Sequence, residues 1–162
     1  MQPAPGQPFS QHDHLGAPGA AVEDHGRAVT ASLPAAARYR HAQRAINRPE
    51  ATTALRLAVE ADPAFELALA DLDALTGSSG QGHSRGQMNW ERHHIEVVRT
   101  AASGNGKRAA DLLRELLAAV GCDPLAFRIV AQMRQPEGID EDFENLAGRL
   151  PRCHPTRWPS SP

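Results

Sequence analysis

At 162 residues the chain has room for one domain, and with 17 basic against 19 acidic side chains its formal charge is −2, which gives no bulk attraction to nucleic acid or an anionic membrane. One Tyr, two Trp and four Phe are its only aromatics, so a core must be built from Ala, Leu, Val and Ile, a set suited to close helix packing. No apolar run approaches the roughly 20 residues of a membrane span. The first residues lack the basic and apolar regions of a secretory leader, and Cys122 and Cys153 have neither the number nor the Cys-x-x-Cys spacing of a disulfide framework or zinc cage; the expected location is cytoplasmic.

Residues 1–31 are rich in Pro, Gly, Ala and His without an apolar period, and are expected to be a disordered N-terminal segment. Ser32 can cap a first helix with Pro34 at its second position, running to about Ile46. Asn47-Arg48-Pro49 interrupts it. A second helix then carries Ala51, Ala54, Leu55, Ala58 and Val59 at i, i+3, i+4, i+7 and i+8. Asp62-Pro63 reads as its end and as the cap of a third helix, with Phe65, Ala68, Leu69, Leu72 and Leu75 inward and Glu66 and Asp71 outward.

The Gly/Ser-rich stretch over 77–88 reads as a flexible linker. Asn89 can cap a fourth helix with Ile95, Val98 and Ala102 on its inner face, and Trp90, Val97 and Ala101 beside them. Gly104-Asn105-Gly106 supplies the left-handed backbone of a tight helix-ending turn. The fifth helix has the clearest amphipathic pattern, Ala109, Leu112, Leu113, Leu116, Leu117 and Val120, and Gly121 stops it. Asp123-Pro124 opens a sixth, with Ala126, Ile129, Val130 and Met133 inward. A weaker acidic helix is expected over 139–150 and a disordered tail over 151–162. The reading is all-α, about six helices in antiparallel hairpins, with the helical domain at 32–150.

Two segments fit a helical-repeat pattern. Ala51, Leu55, Ala58 and Pro63 have the small, large, small, Pro order of a second repeat helix, and Gly104, Ala109 and Leu113 match the turn glycine and the small and large positions. Small residues let the paired helix approach closely while the large one fills the groove. Leu116 stands where the motif prefers Ala, and Gly121 where it prefers Pro. The chain thus resembles tetratricopeptide repeat (TPR) proteins. Over about residues 36–130 it is similar to the tetratricopeptide repeat protein 38 family, through Asp62, Pro63, Phe65, Glu91, His94, Gly104, Asn105 and Ala109. The resemblance implies an α/α superhelical scaffold and offers no catalytic residue to transfer.

Two departures bear on what the chain can be. The family has a further helix where this chain has the 77–88 linker, and it continues through many more helices. About two units leave an apolar end uncovered, so a homodimer would cover it, or the chain is a truncated remnant of a longer TPR protein.

Several side-chain groups could carry chemistry. Glu91-x-x-His94 places a carboxylate and an imidazole on one helical face, as di-iron bundles do, but those need a second such pair, which the chain lacks. A surface glutamate and histidine are expected instead. His93 points about 100° away from His94. His12, Asp13, His14 and His25 lie in a segment with no frame to organise a metal. Cys122, and Cys153 beside His154, are expected to be inert, and GSSGQGHSRG lacks the Gly-Lys-Ser step of a phosphate loop. Arg40, Arg44 and Arg48 recur at i, i+4 and i+8, with Arg38 and His41 nearby, and form a basic stripe if one helix carries all three. Such a stripe suits an acidic peptide or phosphate. The sequence therefore points to a non-catalytic scaffold that binds a protein or peptide partner, with no cofactor, metal, nucleic acid or membrane. The alternative is a helical metal protein or enzyme using Glu91 and His94.

Overall fold

The computed structural model describes residue 21, residues 27–78 and residues 88–133. The acidic 139–150 segment, the 151–162 tail, Cys153, the head histidines and most of the linker lie outside the described residues. Among the described residues six helices follow in order: α1 (Leu33–Arg44), α2 (Arg48–Ala61), α3 (Glu66–Thr76), α4 (Asn89–Ala102), α5 (Gly106–Val120) and α6 (Pro124–Met133). The protein is all-helical, with no extended strand among the described residues.

Most helix ends sit where side chains can satisfy them. Ser32 Oγ accepts the Ala35 N–H at 3.4 Å, Asn47 Oδ1 that of Glu50 at 2.9 Å, Asn105 Oδ1 that of Arg108 at 3.2 Å, and Asp123 Oδ1 that of Ala126 at 3.1 Å. Each relieves an N–H that the helix itself cannot pair. Gly104 and Gly121, at φ +85° and +80°, provide the left-handed steps that close α4 and α5.

Asp62 behaves differently from expectation. It ends α2, and its carboxylate accepts the Ser32 N–H at 2.7 Å and the Ala64 N–H at 3.1 Å. Pro63 and Ala64 form a turn, and α3 begins only at Glu66. Likewise Met88 precedes α4, and Asn89 is its first residue rather than its cap.

Packing runs through consecutive pairs, α1 on α2, α2 on α3, α3 on α4 and α4 on α5. Both α1 and α2 bury alanines, Ala35, Ala36 and Ala42 on one and Ala51, Ala54 and Ala58 on the other, together with Leu55; such small side chains permit close backbone approach. Ala109, Leu113 and Leu116 are likewise buried, while Pro63 is exposed in its turn. Helix α6 packs on α5 and α4 but also reaches α3 and α1. In a simple stack of repeats each unit touches only its neighbours; here α6 returns to α1. Arg128, almost fully buried, donates from Nη1 to the carbonyls of Gln43 and Ala45, both at 3.1 Å, at the C-terminal end of α1.

The packed region also begins earlier than the composition suggests. Val29 is buried in the core, and its N–H bonds the carbonyl of buried Ala21 at 3.0 Å. Residues 27–31, expected to belong to the disordered segment, are instead a strap laid against the start of α4. A run without helical period can still be ordered when its few apolar and polar groups all find partners.

Candidate functional site

The groups most capable of chemistry meet in the interior. His94, on α4, has no exposed surface. Its Nε2 lies 2.7 Å from Asp71 Oδ1 on α3, and its Nδ1 lies 2.6 Å from Asp123 Oδ2 at the start of α6. Both partners are acceptors when ionised, so both ring nitrogens donate and the ring is an imidazolium. Tyr39 on α1 completes the line, its hydroxyl donating to Asp71 Oδ2 at 2.8 Å. Four helices therefore converge on one hydrogen-bonded chain of side chains.

The electrostatics follow from burial and charge. Burial alone would depress the His94 pKa, but Asp123 and Asp71, through charge and hydrogen bonds, raise it to about 10. Burial pushes Asp71 above the ordinary carboxylate range, against the opposing pull of His94 and Tyr39. Burial acts on Asp123 in the same direction, yet His94, Arg27 and the Ala126 N–H hold it below that range. The imidazolium thus lies between a carboxyl held below the ordinary range, Asp123, and one pushed above it, Asp71.

Asp71 corrects the sequence reading, which turned it outward. The buried residues of α3 are Leu67, Ala68, Ala70, Asp71, Ala74 and Leu75, with Leu69 and Leu72 only half-buried. Leucine and alanine occur on every side of α3, so apolar spacing could not choose its face. Glu91 and His94 are corrected too, since both are buried rather than on the surface. They also do not act together. Glu91 accepts the Thr30 N–H at 2.7 Å, the Thr30 hydroxyl at 2.9 Å and the Met88 N–H at 3.2 Å, fastening the strap to α4.

The strap covers one side of the centre. Arg27 lies 4.3 Å above the Trp90 ring, with Nη2 3.9 Å from Asp123 Oδ2. Trp90 donates from Nε1 to the Ala28 carbonyl at 3.0 Å and sets its ring edge-on to His94, centroids 6.4 Å apart. No lone pair of the imidazole remains for a metal, and among the described residues no three His, Cys, Asp or Glu side chains are grouped to hold one.

The arginines separate. Arg40 and Arg44 share α1, but the helix ends at Arg44 and the chain turns at 45–47. Arg48 opens α2 and donates to the Leu75 carbonyl at the end of α3; the stripe does not extend to it. An open groove of about 350 Å³ runs between α1 and α2, lined by Arg38, His41, Glu50, Thr53 and Leu57 among others; Arg40 and Arg44 do not line it. His41 and Glu50 face each other across it at 3.4 Å.

Cys122, next to Asp123, is disulfide-bonded, with a partner outside the described residues. The sequence reading of two inert thiols does not hold for it, since spacing along the chain says nothing of where a cysteine meets another in space.

Tyr39, Asp71, Asp123, Arg27 and Arg128 were not singled out as site residues by sequence. A buried tyrosine needs a partner for its hydroxyl, and the lone Tyr39 was the one available signal. No family model matches this chain, and neither a curated protein nor a solved structure matches it.

Proposed function

We propose that this protein is a non-catalytic, TPR-like helical scaffold that recognises a protein or peptide partner. One observation carries the reading: the Asp71–His94–Asp123 centre is sealed and its polar atoms are already paired, whereas the groove between α1 and α2 is open and flanked by basic side chains. A catalytic acid or base must reach a substrate atom, and these groups serve to hold four helices together. On the surface, Arg38, Arg40 and Arg44 on α1 suit an acidic partner segment through charge-assisted hydrogen bonds. Arg48, bound to the end of α3, contributes charge to that face but not the continuous row that the spacing suggested.

The test is direct. A labelled acidic helical peptide is titrated against the unaltered chain and against the double variant Arg40→Glu/Arg44→Glu. Binding is expected to weaken by about tenfold or more in the variant and to fall with added salt. Equal binding to both proteins would discard the surface. The rival reading, a metal protein or enzyme using Glu91 and His94, requires a ring nitrogen to be freed from an aspartate; stoichiometric metal in the purified protein, lost in a His94 variant, would favour it.

A further inference from the structure

One face of α1 is turned away from the buried Ala35, Tyr39 and Ala42. Leu33, Ala37, Arg40 and Arg44 recur there at i, i+4, i+7 and i+11, the spacing that keeps side chains on one side of a helix. Leu33, Ala37 and Arg44 are exposed, Leu33 by 68 %. The face is therefore apolar toward the N-terminal end of α1 and cationic toward its C-terminal end. The acidic stretch over 139–150 has the complementary pattern. Ile139, Phe143, Leu146 and Leu150 repeat the same spacing, with Asp140, Asp142 and Glu144 flanking the first half and Ala147 beside the second. Its order is the reverse of that on α1, anionic first and apolar last. Laid antiparallel, the carboxylates meet Arg44 and Arg40 while Leu146 and Leu150 meet Ala37 and Leu33. Laid parallel, the carboxylates would face Leu33 and the leucines the arginines.

The chain also arrives at the end of α1 that the antiparallel arrangement requires. Arg128 is bonded to the Gln43 and Ala45 carbonyls at the C-terminal end of α1, and α6 ends at Met133, about 8 Å further along its axis. From there positions 134–138 can span up to about 20 Å. Helix α1 has 12 residues, and positions 139–150 are as many, so the two are equal in length. We propose that residues 139–150 form a helix that docks antiparallel on the Leu33–Arg44 face of α1 in the same chain, and that this segment is an internal ligand for the arginines assigned above to an acidic partner. Opposite charges set its direction and register. The tether through α6 gives it a high effective concentration, so an external acidic peptide must displace it. The docking stands on pattern, charge and reach; only the competition rests on the scaffold reading.

The experiment is amide hydrogen exchange in the full chain. The unaltered protein is compared with Arg40→Glu/Arg44→Glu, with Asp140→Lys/Asp142→Lys/Glu144→Lys, and with the two sets combined. Expected is slowed exchange over 139–150 in the unaltered chain, a loss of about tenfold or more of that protection in each one-sided variant, and its recovery in the combination. Protection over α5 reports the fold in every case. If the arginine variant does not fold, the segment-side variant, which alters no residue of the six helices, carries the same expectation. Unprotected amides over 139–150 in the unaltered chain, equal protection in all of these proteins, or no recovery in the combination would each overturn the proposal. So would protection that vanishes on dilution, which would seat the segment on a second copy. A labelled acidic helical peptide then separates the docking from the scaffold reading. It should bind the segment-side variant at least about tenfold more tightly than the unaltered chain, and equal binding would overturn the internal ligand. Protection over 139–150 with no peptide binding to either protein would discard the acidic partner and leave the docking in place.

Discussion

His94 is the side chain on which the most elements depend. It donates to one carboxylate from α3 and to another from α6, and removing one member of such a buried pair leaves the others uncompensated. His94→Gln is expected to destabilise the fold by about 3–5 kcal/mol, measured as the shift in a urea unfolding midpoint at neutral pH. Tyr39→Phe, which deletes only the hydroxyl on Asp71, should cost about 1 kcal/mol. The pH dependence has a definite sign. The folded protein raises the His94 pKa to about 10, from about 6.5 in an unfolded chain, so the folded state binds that proton more tightly. Its contribution is fully present below about pH 6.5 and is lost as pH rises toward the folded value. Asp123, held below its ordinary range, contributes at neutral pH and loses that contribution as pH falls through its folded pKa, while the raised Asp71 works in the opposite sense. The thermal midpoint of the unaltered chain should therefore decline from about pH 6.5 toward 10, and that of His94→Gln should not. Equal slopes for the two proteins would remove the imidazolium from the account.

At the scale of elements, legibility followed the contrast between polar and apolar faces. Helix α5 was readable because Ala109, Leu112, Leu113, Leu116 and Leu117 are all buried on one side and charged residues occupy the other. Leu113→Ala should cost about 2–5 kcal/mol, read by thermal or denaturant unfolding. Helix α3 was not readable in the same way. Its sequence, Glu-Leu-Ala-Leu-Ala-Asp-Leu-Asp-Ala-Leu-Thr, is apolar nearly all round, so the rule that places charges outside turned Asp71 the wrong way. The cause is tertiary: Asp71 goes inward because His94 and Tyr39 await it. Caps are legible at Ser32 and Asp123, where the partner N–H is three residues away; Asn47, expected only to interrupt, caps α2, and Asn105, expected in a left-handed turn, has φ −89° and caps α5. Caps were read less well at Asp62, whose carboxylate also serves Ser32, 30 residues distant. Local chemistry is visible in a sequence; a partner on another helix is not.

For the whole molecule, the α6–α1 contact changes what the chain requires of other chains. A stack of two units exposes an apolar end, the reason a homodimer was considered. Here α6 lies on α1 and α3, and the large exposed apolar side chains among the described residues are Leu33, Ile46, Leu57 and Met88. Leu33 and Ile46 lie at opposite ends of α1, so among the described residues no broad patch unites these two. Light scattering is expected to give the monomer mass of 17.4 kDa over a wide concentration range; a dimer mass would assign the partner surface to a second copy. Arg128→Met tests the clasp itself. It leaves the Gln43 and Ala45 carbonyls without their donor and should cost about 1–3 kcal/mol.

That clasp also orders events during synthesis. The carbonyls of Gln43 and Ala45 bond a side chain 85 and 83 positions later, so on the ribosome the first hairpin emerges long before its fastener. Closing so long a loop is slow compared with forming helices locally. Nascent chains halted before Arg128 clears the exit tunnel should remain protease-sensitive throughout α1, and those halted after it should become resistant in one step.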